Sequence, residues 1–514
     1  MAAIGSKAAA SWRLLLVPSL ADLLVVSIAV RLCLTGEGWA GLLSDGDTGW
    51  HIRTGQWILE QGRVPDTDLF SFSRAGEPWF AWEWLSDVLL AAMHDLWGLP
   101  GVTVLAGGLV AISAAILFRL MLKLGVNPLL AAAALFPAVT ASSIHYLARP
   151  HLFTILLLAV SYAILLSDRR SRSPWVWLLP PLAALWANLH AGFLALLAIL
   201  ALLSAGLVIE GHLDPERREG KWREARRYGI LFAAASGATL INPYGWSLHS
   251  HVFRYLSSDW IRNTIQEFQS PSFRSENMLH FEFLLLAGLI ASGVLLARKE
   301  IASALLIVAW AHMALSSVRH IPLFGIVSVP LAAEAVSRWW EQVAARKPER
   351  SASRVLWTLG ADLAPSFRRH SLWVAVLGAA AVWLTPASRW PQDFPAMLFP
   401  SDIVKAESSR LSAARVFTSD QWANYLIYHN WPRQRVFFDG RSDFYGPGVG
   451  DDYLKLMTGR REWEAILRKY DINLALLPAG WPLASLLEGR PGWRKVREEK
   501  VGVLFERFPS APAD

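Results

Sequence analysis

Two acidic residues separated by one glycine, Asp45 and Asp47, are the side chains best placed in this sequence for acid–base chemistry. A carboxylate within hydrogen-bond reach of a hydroxyl can take its proton as a general base. Aspartate is also a favoured N-cap, so one of the pair would serve equally to begin a helix near Thr48. A single cap needs only one aspartate, which favours a chemical role for the other.

Cationic side chains form a second group of candidates. Arg149 and His151 flank a proline, and Arg319 directly precedes His320. Arginine presents a planar fork of donors that matches phosphate oxygens, so these four residues are candidate ligands of a phosphate group. The alternative is that the arginines snorkel toward water or pair with nearby carboxylates.

Four further residues are candidates for supporting such a site. Glu83 and Glu267 are the carboxylates with which the arginines would pair. His51 and His190 are the remaining histidines of interest, and for each of them the alternative is a purely structural hydrogen bond.

The composition indicates where these residues must be positioned. Of 514 residues, 54% are apolar and only 18% are charged, whereas soluble domains carry about 25% charged residues. The single cysteine, Cys33, excludes an intramolecular disulfide and a cysteine-rich metal site. The net charge of +7 comes from basic residues scattered between apolar segments, which indicates membrane topology rather than a nucleic-acid partner.

Apolar stretches recur along the first 386 residues and are long enough, or nearly so, to cross a bilayer as helices. The sequence predicts a mostly α, polytopic membrane protein with about eleven transmembrane helices. Asp22 lies about 13 Å along the first helix from Arg31, too far to pair, so we expect it to meet another helix. The predicted spans are 14–34, 102–120, 128–143, 151–167, 175–189, 191–210, 229–245, 281–297, 301–318, 320–336 and 371–386.

Lysine and arginine accumulate on alternate connections between these spans, which predicts a cytoplasmic N-terminus and an outer C-terminal region. Nearly all unusual polar clusters then fall on the outer side. A long first outer loop, at about 35–100, carries several Trp residues that predict interfacial helices or an aromatic belt. This one-sided distribution favours a chemical site at the outer face over a transport pathway through the membrane.

Residues 390–514 have the composition of a small soluble α/β domain outside the membrane, following a transmembrane domain at 1–386. Segments 415–419, 435–440 and 473–478 read as strands, and a final hairpin is predicted near 494–507. In this domain Asp439, Arg441 and Asp443 would bind a glycan or a partner, or would simply form a turn around a glycine.

The sequence contains no phosphate-binding GxxxxGK[ST] loop, no HExxH and no GxSxG, so nucleotide-driven pumps, zincins and serine hydrolases of the usual patterns lack support. An enzyme at the outer face has no nucleotide sugar or ATP at hand. A lipid-carried substrate is therefore the expected supply.

These features together resemble the GT-C superfamily of integral membrane glycosyltransferases. The resemblance rests on the acidic pair after the first span, the long first outer loop, the number of spans and the outer C-terminal domain. More closely, the segments DGDTGWHIRTGQWILEQGRVPDTDLFSFS, ARPHLFT, WANLHAGF, NPYG, RHIPLF and SDQWANYLIYHNWPRQRVFFDGRSDFYG are similar to those of bacterial membrane proteins usually grouped with that superfamily.

The resemblance implies a site as well as a fold. A first-loop carboxylate acts as base toward the acceptor or helps to hold a metal, a role that Asp47 or Asp45 would fill. Cationic or histidine side chains at the mouths of later spans hold the lipid phosphate, a role that suits Arg149, His151 and Arg319. Metal use stays open, because some members need a divalent ion such as Mg²⁺ or Mn²⁺ and others do not.

The sequence therefore predicts a glycosyltransferase that moves a sugar, with inversion, from a polyprenyl-phosphate carrier to an acceptor hydroxyl. The acceptor is a glycan, a lipid or a protein, and the surroundings are membrane lipids of the bacterial inner membrane. Two rival predictions are a transporter or flippase of lipid-linked sugars and a non-catalytic protein of cell-envelope assembly.

Overall fold

The computed structural model describes residues 17–275, 278–368, 371 and 373–508, and helices account for most of them. The helices of the part predicted to lie in the membrane are α1 Leu20–Leu34, α2 Gly36–Leu42, α3 Asp47–Gln61, α4 Trp84–Lys123, α5 Pro128–Ser142, α6 His151–Ser171, α7 Leu179–Leu189, α8 Phe193–Leu213, α9 Arg218–Ala238, α10 Trp246–Ser257, α11 Asp259–Thr264, α12 Met278–Ala297, α13 Ile301–Ser316, α14 Ile321–Ala345, α15 Ala352–Arg368 and α16 Trp373–Leu384.

Every predicted span overlaps a helix, although the span predicted at 229–245 extends beyond its helix, which ends at Ala238. Residues 14–16 of the first span and residue 372 of the last span lie outside the described residues. Within the described ranges, six helical segments are long and apolar enough to cross a membrane, and α13 and α16 are shorter apolar helices. The chain is thus a mostly helical membrane protein, and the number eleven stays a prediction. Asp22 of α1 forms an ion pair with Arg119 of α4 at 3.1 Å, so the expectation that it meets another helix is confirmed.

Helix α4 is bent near its first third, where Trp97 and Gly98 leave helical geometry and Gly98 has φ 62°. A positive φ costs glycine little, so the bend forms at this residue. The part before the bend packs on α3. Gly55 of α3 permits this contact, because a Cβ at that position would collide with the carbonyl oxygen of Asp87.

The C-terminal region contains a four-stranded sheet of order β1-β2-β4-β3, in which only the β1–β2 pair is parallel. Its strands are β1 Val416–Phe417, β2 Leu474–Pro478, β3 Trp493–Glu498 and β4 Gly502–Arg507. Its helices are α17 Ser401–Ala406, α18 Ser408–Ser412, α19 Asp420–Asn430, α20 Ser442–Met457, α21 Trp463–Lys469 and α22 Pro482–Leu487.

The segment 435–440 differs from its predicted strand, since it makes only isolated bridges. Val436 bridges Ser71 of the first long loop and Val416 of β1. Its N–H donates to the carbonyl of Phe70, and its carbonyl accepts from the N–H of Phe72, both at 2.9 Å. The segment lies between the loop and the sheet and pairs with single residues of each, which is too little for a ladder. It thereby connects the C-terminal region to the loop that carries the acidic pair.

Candidate active site

The acidic pair lies at the start of α3. The backbone N–H of Asp47, the first helical residue, donates to the Asp45 carboxylate at 2.9 Å. Asp45 thus stabilises the first turn, where backbone N–H groups lack helical partners. Because this leaves the side chain of Asp47 free of capping, the two aspartates have different surroundings from the outset.

Arg149 binds both aspartates and a third carboxylate. Its Nη1 lies 2.7 Å from Asp45 and 2.7 Å from Glu267, and its Nη2 lies 2.9 Å from Asp47. Burial opposes the positive charge of the guanidinium, but Asp45, Glu267 and Asp47 outweigh it and raise the pKa of Arg149. The alternative considered from the sequence, pairing of the arginine with Glu267, is therefore what the structure contains, and this pairing extends to both aspartates.

Asp47 is buried, with 5% of its surface exposed, and meets the C-terminal region. Asn424 of α19 donates to its Oδ1 at 2.6 Å. Gly440 lies against the same oxygen so closely that a Cβ there would collide with it. Burial, followed by the negative charge of Asp45, raises the pKa of Asp47, while Arg149 lowers it. A raised pKa makes a carboxylate a stronger base toward a hydroxyl proton.

A cleft of about 590 Å³, called here the polar cleft, contains Asp47 and Arg149. Its wall combines aromatic rings of the first long loop with polar side chains from α3, α4, the mouths of later helices and the C-terminal region. Its lining residues are Asp47, Trp50, His51, Trp79, Phe80, Ala81, Trp82, Glu83, Asp87, Arg149, His190, Tyr255, Glu267, Arg319, Gly440, Arg441, Ser442 and Asp443. Asp45 does not line it.

A second cavity of about 2070 Å³, the apolar groove, runs along α8 and α13. Its members on these helices include Leu194, Ala198 and Leu202 on α8 and Ala309 and Met313 on α13. Ala198 and Met313 are exposed, so the groove opens at the side of the helix bundle, where a membrane protein meets lipid.

The polar cleft and the apolar groove share five lining residues, which are Trp82, His190, Tyr255, Glu267 and Arg319. Arg319 is the cation of this junction. Its guanidinium lies 4.6 Å from the centre of the Phe268 ring, and its buried Nη1 has no hydrogen-bond partner. A buried donor without a partner is costly, so Arg319 is ready to receive an anionic oxygen.

The remaining predicted phosphate ligands lie in the groove near this junction. His151 Nε2 is 2.6 Å from the carbonyl oxygen of His145, and His320 Nδ1 is buried without a partner. His151, Arg319 and His320 therefore line one cavity, whereas Arg149 faces the polar cleft and is occupied by carboxylates.

The supporting candidates form a chain of polar contacts at the floor of the polar cleft. His51 Nδ1 lies 2.6 Å from Asp87, a residue that the sequence analysis did not select. Glu83 lies 4.0 Å from His51 Nε2 and 3.5 Å from His190 Nε2. Burial lowers the pKa of His51, which favours a neutral ring that donates from Nδ1 to Asp87 and accepts at Nε2. Asp87 follows Glu83 by one helical turn, a spacing that places both carboxyl groups on one face of α4.

Burial raises the pKa of Glu83 to about 8, so its carboxyl group is protonated in the folded protein at neutral pH. In the unfolded chain the group titrates near its ordinary value, and the folded state therefore binds the proton more tightly. The contribution of protonated Glu83 to the free energy of unfolding is complete at low pH, and it is lost as the pH rises through about 8.

We expect Glu83→Gln to remove this pH dependence. In thermal unfolding in detergent from about pH 5 to about pH 9, the midpoint of the wild type should fall more steeply than that of the variant. The exposed Glu60 offers a control, and Glu60→Gln should follow the wild-type curve. Parallel curves for the wild type and Glu83→Gln would contradict the protonated state of Glu83.

The C-terminal region contributes Arg441 to the polar cleft. This arginine is buried and binds Asp439 at 2.6 Å and Asp68 of the first long loop at 2.8 Å, and its Nη1 has no partner. Asp443 binds His251 at 2.9 Å. The turn alternative does not account for these long-range contacts. The sequence feature that indicates these contacts is the set of charged residues within the aromatic stretch FFDGRSDFYG.

The placed residues do not fit a divalent metal ion. Asp45, Asp47 and Glu267 all contact the Arg149 guanidinium, so a positive charge of the chain itself already lies among them. Among the described residues no three His, Cys, Asp or Glu side chains form a group suited to hold a metal.

No family model matches this sequence, and no curated protein matches it significantly. Solved structures that are similar to it include the following three. The crystal structure of ArnT from Cupriavidus metallidurans bound to undecaprenyl phosphate has a TM-score of 0.51 and 12% identity, over 94% of this chain and 97% of that chain. The archaeal oligosaccharyltransferase AglB from Archaeoglobus fulgidus, in complex with an inhibitory peptide and a dolichol-phosphate, has a TM-score of 0.49 and 13% identity, over 96% of this chain and 74% of that chain. The arabinofuranosyltransferase AftD from Mycobacteria has a TM-score of 0.48 and 13% identity, over 95% of this chain and 39% of that chain.

At this level of identity the likeness to ArnT establishes a common fold. It covers nearly the whole of both chains, so the likeness extends from the helices to the C-terminal region. The chain therefore has the fold that its resemblance to the GT-C superfamily predicted.

Proposed function

We propose that this protein transfers a sugar from a polyprenyl-phosphate carrier to an acceptor hydroxyl. The observation that supports this most directly is the junction of the polar cleft with the apolar groove at Arg319. A substrate that is hydrocarbon at one end, anionic in the middle and hydroxyl-rich at the other end matches the order of apolar groove, Arg319 and polar cleft.

The carrier is oriented by the same junction. Its polyprenyl tail lies in the apolar groove along α8 and α13, entering from the side of the bundle. Its phosphate lies beside Arg319, with His320 and His151 near it in the groove. Its sugar extends into the polar cleft, where Trp79, Trp82 and other rings offer apolar faces to a sugar.

Asp47 takes the acceptor proton in this mechanism. The acceptor oxygen forms a bond to the anomeric carbon, the bond from that carbon to the phosphate oxygen breaks, and the electron pair leaves with the phosphate. The proton of the acceptor hydroxyl passes to Asp47, a role that requires hydrogen-bond reach. Attack opposite the departing phosphate inverts the anomeric carbon.

Arg319 stabilises the charge that develops on the departing phosphate, a contribution that is usually large in enzymes. Arg149 acts on the general base rather than on the phosphate, because it holds the Asp47 carboxylate in place through a contact of 2.9 Å. The acceptor is a glycan, a lipid or a protein, and it enters the polar cleft from the side of Arg441 and Asp443.

The proposed location follows from this chemistry. The protein lies in the bacterial inner membrane with a cytoplasmic N-terminus, and both the polar cleft and the C-terminal region face outward. Lipid-linked sugars are the donors available there.

Release of free polyprenyl phosphate from a panel of lipid-linked sugars tests the proposal. Purified wild-type protein should release the carrier from at least one donor in the presence of an acceptor. Tight binding of the lipid without release from any donor would instead favour a flippase or an assembly protein.

Filling the apolar groove should separate tail binding from chemistry. Ala198→Trp places a large side chain in the groove, so we expect the KM for a long-chain donor to rise strongly while a donor with a short soluble chain keeps its turnover. Ala133 of α5 is exposed and does not line the groove, and Ala133→Trp is the matched control. An equal loss of turnover with long-chain and short-chain donors would show that the polyprenyl tail does not bind in this groove.

A further inference from the structure

The three carboxylates around Arg149 come from two distant parts of the chain. Asp45 precedes α3, Asp47 begins it, and Glu267 lies in the short helical turn Gln266–Phe268. The guanidinium contacts all three within 2.9 Å. Their convergence is therefore a tertiary feature and not a run of acidic residues along the sequence.

Three carboxylates that face one point normally need a cation between them, because their charges repel at short range. Carboxylate oxygens of this kind are typical ligands of Mg²⁺ and Mn²⁺. Here the cation is covalently part of the chain. Arginine stays protonated in proteins, and its donors bind carboxylates in a fixed planar geometry.

The electrostatic effect of this arrangement is visible at Glu267. Burial would raise its pKa, but the charges of Arg149 and Arg319 outweigh burial and lower it. Glu267 therefore stays ionised beside the guanidinium. It also lines both cavities, as Arg319 does, whereas Arg149 lines only the polar cleft.

We propose that Arg149 is the resident cation of this site and takes the position between the carboxylates that a divalent metal would otherwise hold. Sugar transfer then needs no divalent metal, and this part of the proposal rests on the proposed function. Asp45, Asp47 and Glu267 do not form a metal-holding group as they stand, but loss of Arg149 leaves their charges uncompensated. They then become a latent divalent-cation site that forms when they close around the ion, a part of the proposal that does not depend on any activity.

Binding of Mn²⁺ to the purified full-length chain, followed by electron paramagnetic resonance, tests the latent site. Wild-type protein should leave the signal of free Mn²⁺ unchanged, whereas Arg149→Ala should remove it in proportion to protein. Arg149→Ala/Glu267→Gln should bind much less, because one of three carboxylates is lost. Arg254→Ala, which removes an exposed arginine of α10 that lines neither cavity, is the control and should behave as wild type.

Stoichiometric Mn²⁺ binding by the wild type would overturn the proposal, as would a folded Arg149→Ala that binds none. Arg149→Gln also removes the positive charge but keeps more of the side-chain volume and should bind Mn²⁺, so it decides the question if the alanine variant fails to fold. In the activity arm, a chelator should leave wild-type turnover unchanged. Turnover that is lost with chelator and restored by Mn²⁺ would refute a resident cation while supporting the glycosyltransferase itself.

Discussion

Asp47→Asn should abolish sugar transfer while leaving the fold and the binding of the lipid carrier intact. Removal of a general base typically lowers the rate by about 10²- to 10⁴-fold. Asparagine has nearly the same shape, and its side-chain oxygen can still accept from Asn424, so the contact between α3 and α19 survives. The measurement is release of polyprenyl phosphate at saturating donor, with donor affinity and thermal unfolding determined on the same preparation.

Two neighbouring aspartates serve as comparisons for this experiment. Asp66 is in the same loop with its side chain 77% exposed, and Asp66→Asn should retain wild-type turnover. Asp45 binds Arg149 but does not line the polar cleft, so Asp45→Asn should lose less activity than Asp47→Asn. Turnover by Asp47→Asn at the wild-type rate would remove this residue from the role of base.

Arg319→Gln should weaken both donor binding and the chemical step. A hydrogen bond to a charged group is worth about 1.5–3 kcal/mol, which corresponds to roughly ten- to a hundredfold in the donor Kd. The effect on turnover adds to this, because charge accumulates on the phosphate as it departs. Binding of a fluorescent polyprenyl phosphate and single-turnover kinetics measure the two effects separately.

Arg319→Lys keeps the charge but loses the planar fork, so it should recover part of the affinity. Arg254 of α10 is exposed and lines neither cavity, and Arg254→Gln should bind the lipid as the wild type does. Unchanged lipid affinity in Arg319→Gln would place the phosphate elsewhere in the molecule.

The features that the sequence predicted are those encoded locally. Apolar runs determine where helices form, so each predicted span overlaps one. The acidic pair is recognisable because only one glycine separates Asp45 from Asp47, and the unpaired carboxylate at Asp22 already required a partner on another helix.

The features that it did not predict depend on tertiary packing. Asn424 and Gly440 contact Asp47 from more than 370 residues away along the chain, and no local pattern encodes that contact. Asp87 lies in an apolar stretch, and its pairing with His51 follows from the close contact at Gly55. The interpretation of Arg149 as a phosphate ligand treated it singly, whereas its three carboxylate partners come from two segments that are both distant from it in the sequence.

The contacts of Asn424 and Gly440 with Asp47 have a consequence for the order in which the protein is made. Ribosomal synthesis delivers the first long loop hundreds of residues before α19 and the Gly440 segment. Until these emerge, the aspartate lacks its amide donor and one wall of its surroundings. A nascent or prematurely terminated chain therefore has an incomplete candidate site, and the proposed transfer becomes possible only once translation has passed Gly440.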